Sequence, residues 1–199
     1  IEEAKEMVNA YFGEFKPAKI PEVVFSESKL KENKSLIYYD DVNLPAVYYV
    51  WQAGKEFTEE DFALTLAADI LDESKTKHLY KKLVYDEKVA AGASALPLLL
   101  KHDGLFIINA VAHDINSLDR MKELTWEVIN NIRKEKFTEL EVKRYLNKYK
   151  SAKIFGYQKI SSLADKMNYY NNVLGYPDGF EYEEQKYTGL NSDVVTKYF

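Results

Sequence analysis

Residues 57–113, FTEEDFALTLAADILDESKTKHLYKKLVYDEKVAAGASALPLLLKHDGLFIINAVAH, decide the fold. They predict two helices followed by two strands. The first helix is apolar on almost every side, and a helix of that kind has to be covered on every side. Residues 90–95 consist only of alanine, glycine and serine, so a helix can lie close against them. Residues 105–112 are rich in residue types with high β propensity.

The start of the first helix carries a clear capping signal. Thr58 is a candidate N-cap residue, and Asp61 stands in the reciprocal position. Phe57 can pack against Phe62 and so fix the direction in which the chain enters the helix. The buried surface of this helix is expected to come from Phe62, Ala63, Leu66, Ala67, Ile70 and Leu71.

A shorter helix and a strand pair complete this segment. The second helix is predicted over residues 75–85, with three side chains directed inward: Leu79, Leu83 and Val84. Strands over residues 88–96 and 105–112 are expected to pair antiparallel, with Asp103 and Gly104 at the turn. The apolar helix is therefore expected to lie on a strand of small residues.

A short amphipathic helix is predicted at residues 1–12. Its apolar side is formed by Ile1, Ala4, Met7, Val8 and Tyr11. Glu2 and Glu3 suit the positive end of a helix, and Gly13 can adopt the left-handed conformation that often follows the last turn.

A linker follows this helix. Residues 14–34 contain Pro17 and Pro21 and show little periodicity, which is typical of extended chain. We therefore assign residues 1–33 to the terminal helix of a preceding domain plus a linker. Residues 34–199 form a second domain, which we expect to be truncated at its C-terminus.

Two strands are predicted at the start of the second domain. Residues 35–41 and 46–52 are rich in β-branched and aromatic residues. The connection between them is only four residues long, so they can form a hairpin or lie on neighbouring strands. In the second strand, one face carries Val47, Tyr49 and Trp51 and the other carries Tyr48, Val50 and Gln52.

The chain after residue 113 is predicted to be helical. Asn116 or Ser117 is expected to cap a helix whose inward positions keep the helical period: Leu118, Met121, Thr125, Val128 and Ile132. A capping box of Thr138 and Glu141 begins a long helix that reaches about residue 157.

Two further helices are predicted towards the end of the sequence. Ser162 begins a helix that Gly175 and Pro177 stop. An irregular stretch follows over residues 176–187, and residues 191–199 predict a last helix. Paired strands followed by several helices indicate the α+β class, here an antiparallel sheet with helices packed on one face.

The composition limits the possible functions. The chain has 199 residues, a formal net charge of −5 and no cysteine. A nucleic-acid partner is disfavoured by this charge. Thiol catalysis, disulfides and cysteine-based zinc sites are excluded. No apolar run approaches the ~20 residues of a membrane span.

The three histidines do not form a recognisable metal motif. His78 would need a second histidine one turn further on, but Lys81 and Lys82 stand there. His102 and His113, with Asp103 and Asp114 beside them, could approach each other across the hairpin ends and bind a metal. Solvated turn residues are the plainer interpretation.

The other candidate clusters have plain structural interpretations. Asp40 and Asp41 can end a strand, and residues 59–61 can serve a helix dipole. A solvated helix side is expected from Lys143, Arg144, Lys148, Lys150 and Lys153. Helical packing accounts for Met167, Tyr169 and Tyr170. No glycine-rich phosphate loop is present, and no serine has a histidine partner at a predictable distance.

The order of several phrases along the chain resembles the insulinase (pitrilysin) family of zinc metallopeptidases, to which mitochondrial processing peptidases belong. The phrases are AKEMVNAYFGEF, LPAVYYVWQAG, FALTLAADILDESKTKHLYKKLVYDEKVAAGASA, GLFIINAVA and TELEVKRYLNKYKSA. In that family a helix ending in ILGGGKSSRLYKRLV packs on the sheet, and the phrase ILDESKTKHLYKKLV is similar to it. The similarity extends over nearly the whole chain.

The resemblance implies repeated α+β domains, two per half, that close around a peptide. In that family an H-x-x-E-H helix of the catalytic domain holds the zinc, and the following domain carries no metal. This chain looks like the following, non-catalytic domain, with no catalytic, cofactor-binding or metal-binding residue of its own. The implied partners are a catalytic insulinase-type domain, in the same parent chain or in a partner subunit, and a peptide substrate.

The resemblance also points to two helper positions. In active relatives the partner domain often supplies an arginine and a tyrosine, spaced R-x6-Y, that assist at the zinc. Val84 and Ala91 occupy those positions here, and neither side chain can donate a hydrogen bond. The glycines that follow the phrase IL in the family are replaced by Asp72, Glu73 and Ser74.

Three functions remain open from the sequence. The first is a non-catalytic domain that forms part of a peptide chamber and binds substrate for a zinc endopeptidase. The second is a structural or scaffolding domain of an inactive family member or core subunit, because a fold alone does not fix a function. The third is an unrelated α+β binding module. Bacterial periplasm and cytoplasm are both compatible with the sequence.

Overall fold

A computed structural model describes residues 1–19, 21, 24–25, 29–72 and 78–199. A short α3 continues directly into a π-helix over Lys81–Asp86. The other elements are α1 (Glu2–Phe12), β1 (Ala46–Ala53), α2 (Glu59–Asp72), α3 (His78–Tyr80), β2 (Ala90–Leu99), β3 (Gly104–Ala112), α4 (Leu118–Glu135), α5 (Glu139–Gly156), α6 (Ile160–Leu174), α7 (Phe180–Thr188) and α8 (Ser192–Tyr198).

The sheet is antiparallel and has its three described strands in the order β1-β3-β2. On the central strand β3, alternate residues are buried, because successive side chains point to opposite faces. Phe106, Ile108 and Ala110 lie on the face that the helices cover, which we call the inner face. The predicted α+β class, with helices on one face of an antiparallel sheet, is confirmed.

Helix α2 is the centre of the core, as its sequence predicts. Eight of its residues are buried: Phe62, Ala63, Leu64, Leu66, Ala67, Ala68, Ile70 and Leu71. Thr58 Oγ1 accepts a hydrogen bond from the Asp61 backbone N–H at 3.3 Å. Asp61 Oδ2 accepts one from the Phe57 backbone N–H at 2.7 Å. The rings of Phe57 and Phe62 lie 6.1 Å apart, edge to face.

Strand β2 lets α2 approach closely. Ala90, Ala93 and Ala95 are its buried positions, and they belong to the same core as α2. Small side chains leave little distance between helix and sheet, so dispersion contacts are dense there. The prediction of an apolar helix on a strand of small residues is confirmed.

Residues 35–41 do not form the predicted strand. Asp40 makes a local turn instead: its Oδ1 accepts from the Asp41 backbone N–H at 2.8 Å, and its carbonyl accepts from Val42 N–H at 3.0 Å. Both alternatives for this segment, a hairpin with β1 and a neighbouring strand, are therefore wrong, and Asp40 and Asp41 do not end a strand. The side chains of four apolar or aromatic residues are therefore exposed: Leu36, Ile37, Tyr38 and Tyr39.

The helix ends confirm some predictions and correct others. Gly175 has φ +85° and ends α6 in the left-handed conformation, whereas Gly13 is right-handed with φ −65°. Thr138 and Glu141 form the predicted capping box. The Ser117 side chain does not cap α4; instead Asp114 Oδ1 accepts from the Ser117 N–H at 2.8 Å.

Two segments differ from their predicted elements. The second helix was expected over residues 75–85, but residues 75–77 lie outside the described residues and residues 81–86 are π-helical. Residues 180–188, expected to be irregular, form α7, which buries Glu183 and Tyr187. No described helix has both the length and the apolar character that crossing a membrane requires.

Candidate functional site

The sheet face opposite the helices, which we call the outer face, has two different halves. The polar half consists of Tyr48, Gly92, Ser94, Asn109 and Val111, which lie in neighbouring rows of the strand register. The apolar half consists of Val50, Gln52, Leu96, Leu98, Leu105 and Ile107. The two halves lie side by side, so the outer face changes from polar to apolar along the strands.

A groove runs beside the polar half at the outer edge of β2. Its volume is about 410 Å³, and its lining is Asp72, Tyr80, Gly92, Ala93, Ser94, Asn109 and Val111. Within it, Ser94 Oγ donates to Asn109 Oδ1 at 3.0 Å. Burial raises the pKa of Asp72, and the charge of Lys148 opposes that shift. The groove therefore combines small residues, neutral polar groups and one carboxyl group.

The backbone of β2 is accessible beside this groove. A register shift between Ala90 and Gly92 marks a β-bulge, which leaves the extra residue of the bulged strand unpaired. A Cβ atom added at Gly92 would meet no atom within 4 Å. Within the part of the chain that the structure describes, β2 pairs only with β3. Its other edge can accept the backbone of an extended peptide.

The two helper positions implied by the resemblance flank this region. Val84 is half-buried in the π-helix and packs against the core. Ala91 is exposed at the bulge. Neither side chain has a polar atom, so neither can stabilise a developing oxyanion. Of the three residues that replace the family glycines, Asp72 lines the groove, while Glu73 and Ser74 lie outside the described residues.

The histidines lie far apart along the fold. His78 Nε2 is 3.0 Å from Glu141 Oε1 and so joins α3 to the capping box of α5. His102 precedes β3 and His113 follows it, and a strand of that length separates them by about 30 Å. His102 and His113 therefore do not approach each other, and the alternative of a metal site formed by them with Asp103 and Asp114 does not hold. The described residues contain no cluster of histidine, aspartate or glutamate that could hold a metal ion.

The acidic group at the start of α2 has the structural role that the sequence indicates. Glu59, Glu60 and Asp61 form the first turn of the helix. Glu60 Oε1 accepts from the Gly54 backbone N–H at 3.0 Å, and the Asp61 carboxylate bonds the Phe57 N–H. Burial raises the pKa of Asp61, although the hydrogen bonds from the Phe57 N–H and the Thr65 hydroxyl oppose that shift.

The basic side of α5 is only partly a solvated surface. Lys143, Arg144, Lys148 and Lys150 are exposed, and Arg144 and Lys148 lie over the Tyr145 ring. Lys153 departs from the prediction, because its side chain is only 13% exposed. Its Nζ donates to the Phe180 carbonyl at 3.2 Å.

A polar cluster between α5, α6 and α7 was missed by sequence reasoning. At its centre, Glu183 is buried and accepts hydrogen bonds from Lys166 Nζ at 2.8 Å and from the Tyr170 hydroxyl at 2.7 Å. Helical packing was predicted for Tyr169 and Tyr170. Tyr170 is fully buried and also donates a hydrogen bond to Glu183, a role that the prediction did not include. In the sequence, the only sign of this cluster was that the glutamates of residues 180–188 stand among aromatic residues.

The electrostatics of this cluster follow from its burial. Burial raises the pKa of Glu183, but the hydrogen bonds from Lys166 and Tyr170 outweigh it, and the net shift is downward. Burial raises the pKa of Tyr149, Tyr170 and Tyr187, and the nearby carboxylate adds to that rise. At neutral pH the cluster therefore holds an ionised carboxylate among neutral phenols, an arrangement that fastens three helices together.

Comparison with known proteins gives a consistent family. The family model described as "Peptidase M16 inactive domain" matches residues 1–149. No curated protein sequence matches the chain. A protease from Helicobacter pylori has a similar structure, with a TM-score of 0.78 and 19% identity, over 99% of this chain and 48% of its own length. The chain thus spans about half of that protein.

Two further solved structures have the same fold. One is the inactive peptidase domain of a Bordetella parapertussis protein described as a zinc protease, with a TM-score of 0.68 and 19% identity, over 78% of this chain and 84% of that one. The other is the periplasmic protease PqqL from Escherichia coli, with a TM-score of 0.67 and 13% identity, over 99% of this chain and 22% of that one.

Proposed function

We infer that this chain, which belongs to the peptidase M16 inactive-domain family, acts as a non-catalytic part of a zinc endopeptidase and forms one wall of its peptide chamber. The catalytic zinc would be held by an H-x-x-E-H domain outside these 199 residues, in the same parent chain or in a partner subunit. There the zinc would activate water and polarise the scissile carbonyl. The role proposed for this chain is to bind and orient the peptide.

The groove beside β2 is the observation that carries this proposal. Ala91, Gly92 and Ala93 leave the strand backbone open to close approach. An extended peptide that pairs with such an edge gains main-chain hydrogen bonds whatever its sequence. Ser94, Asn109 and the Asp72 carboxyl group can then contact its side chains. Affinity that depends mainly on backbone pairing suits an enzyme that accepts unfolded peptides.

The position of the groove also supports the inference that the groove lies close to the surface that meets the catalytic domain. By the family resemblance, Val84 and Ala91 stand where active relatives place groups that reach the zinc. Ala91 is next to Gly92, which lines the groove. A peptide in the groove would therefore run close to the surface that meets the catalytic domain. With apolar residues at both positions, the contribution expected of this chain is binding rather than transition-state stabilisation.

Substitution at Gly92 tests the proposal. A fluorescently labelled unfolded peptide is titrated with the chain, and its anisotropy is measured. Gly92→Val should weaken binding by about fivefold or more, because the branched side chain projects from the outer face into the groove, where the side chains of the bound peptide would lie. The fold should persist, since nothing lies within 4 Å of the new Cβ. Gly156→Val, at another open glycine on α5, is the matched control.

A scaffolding role is favoured by one observation, namely the apolar residues at Val84 and Ala91. The two functions differ in what the groove variants do. If Gly92→Val, Asp72→Asn and Ser94→Ala all bind peptide as the unaltered chain does, the groove is not a substrate surface and the scaffolding role is the better description. If all three weaken binding while Gly156→Val does not, the chamber-wall role is supported.

A further inference from the structure

A second groove, which we call the helix groove, lies between α5 and α7. Its volume is about 640 Å³, within the range of about 300–1,000 Å³ that is usual for small-molecule sites. Leu163 of α6 also contributes to it, and its described lining contains no residue of the sheet. The helix groove is therefore separate from the groove beside β2.

The wall of the helix groove is aromatic and firmly packed. The Tyr149 ring stacks on the Tyr187 ring with their centroids 3.7 Å apart. The Tyr157 ring meets the Phe180 ring edge to face at 5.1 Å. All four residues line the groove. Rings that neighbouring rings already hold in place lose little freedom when a ligand binds, and they offer stacking and edge contacts to an aromatic side chain.

The charges of the helix groove are separated by helix. Lys150 and Lys153 come from α5, whereas Glu181 and Glu184 come from α7. The Lys153 side chain is only 13% exposed, and the Glu184 side chain is 61% exposed. One side of the groove thus presents cations and the other side presents carboxylates.

Lys153 and Glu184 face each other without a hydrogen bond. Lys153 Nζ lies 3.9 Å from Glu184 Oε2, and this distance is too long for one. Nζ has three donors and gives one hydrogen bond, to the Phe180 carbonyl at 3.2 Å. The Glu183 carboxylate is also 3.9 Å away, but Lys166 already pairs with it at 2.8 Å. Lys153 therefore has donors left for a ligand.

The spacing of this pair matches one kind of ligand. In a free α-amino acid the ammonium nitrogen and the carboxylate are bonded to the same carbon atom, so they lie about 3 Å apart. Such a molecule can set its carboxylate against Lys153 and its ammonium group against Glu184 at the same time. A ligand with a single charge would leave one of the two protein groups unpaired.

We propose that the helix groove binds a free α-amino acid with an aromatic side chain. The ligand carboxylate accepts hydrogen bonds from Lys153 Nζ, and the ligand ammonium group donates to the Glu184 carboxylate. The ligand ring packs on the aromatic wall. A long peptide carries its two end charges far apart, so it does not fit this pair. The site is thus independent of the proposed peptide binding beside β2.

Calorimetric titration with phenylalanine tests the proposal. The unaltered chain is titrated with phenylalanine up to about 10 mM. It is then titrated with N-acetylphenylalanine, phenylalaninamide and glycine, which lack the ammonium group, the carboxylate and the ring respectively. Each of the three should bind at least about tenfold more weakly than phenylalanine. Absence of heat with phenylalanine, or equal binding of phenylalanine and phenylalaninamide, would overturn the proposal.

Substitutions locate the site. Glu184→Gln should weaken phenylalanine binding at least about tenfold, and the fold should persist because that side chain is mostly exposed. Glu123→Gln, at another exposed glutamate, is the matched control. Lys153→Met should have the same effect as Glu184→Gln, with circular dichroism to check the fold. Unchanged binding in Glu184→Gln would contradict the proposal. Gly92→Val should bind phenylalanine normally, and a loss there would place the ligand beside β2 and also overturn the proposal.

Discussion

The two faces of the sheet carry similar residues but have different roles. Ile108 on the inner face is fully buried beneath helices, whereas Leu96 on the outer face of the neighbouring strand is 53% exposed. Both are large aliphatic side chains in the same hydrogen-bonded ladder. The difference shows that the described helices complete only one side of the sheet. The inner face supplies stability, and the outer face is available for contacts.

The largest effect is expected from the inner face. Ile108→Ala should lower the free energy of unfolding by about 3–4 kcal/mol, because it removes buried surface and leaves a cavity beneath α2. Urea unfolding followed by tryptophan fluorescence measures this loss. A loss below about 1 kcal/mol would mean that the inner face is no better packed than the outer one.

The helices that cover the inner face should depend on their buried carboxylate. Glu183→Ala should cost about 3 kcal/mol, because it leaves Lys166 and the Tyr170 hydroxyl without their partner in a buried site. Glu184→Ala is the matched control, since the Glu184 side chain is 61% exposed. Its expected cost is under about 0.5 kcal/mol. Equal costs for the two variants would show that the cluster does not fasten the helices.

Acid should weaken the same cluster. The pKa of Glu183 is lowered in the folded state, so its contribution is complete above the ordinary carboxyl pKa and is lost as the pH falls through the folded pKa. The stability difference between the unaltered chain and Glu183→Gln should therefore shrink from about pH 5 to about pH 3. Urea midpoints across that range provide the measurement. A constant difference would contradict the downward shift.

The smallest effect is expected from the outer face. Leu98→Thr should change the free energy of unfolding by less than about 0.5 kcal/mol, because a half-exposed side chain loses little buried area. Threonine also keeps a high β propensity. Thermal unfolding of this variant beside Ile108→Ala gives the contrast between the faces directly. A cost close to that of Ile108→Ala would show that the outer face is covered within the chain.

The elements with strong periodicity were predictable from the sequence because their signals are local. Helix α2, β1, β3 and the Thr138–Glu141 capping box all carry their signal within a few residues. Residues 35–41 fail because β propensity does not supply a partner, and Asp40 bonds its own neighbours instead. Helix α7 was missed because its glutamates look solvated until Tyr170 and Lys166, from another helix, are placed beside Glu183.

The candidate site was less predictable than the fold. The groove joins Asp72 and Tyr80 to Gly92 and Ser94. These residues come together only because the end of α2 and the short α3 lie beside β2. The distance between His102 and His113, in contrast, follows directly once β3 is recognised as one uninterrupted strand. The number of residues between the two histidines is enough to predict this distance, because a strand has a fixed rise per residue.

The π-helix and the β-bulge have a consequence for how the length of this chain can change. A π-helical turn holds one residue more than an α-helical turn, and a bulge holds one residue more than the strand opposite. Here the π-helix ends just before Glu87, and the bulge begins just after Val89 at the start of β2. Insertions of single residues can thus be absorbed at this connection while Leu83 and Ala93 keep their places in the core. Length variation among related sequences is expected to concentrate there.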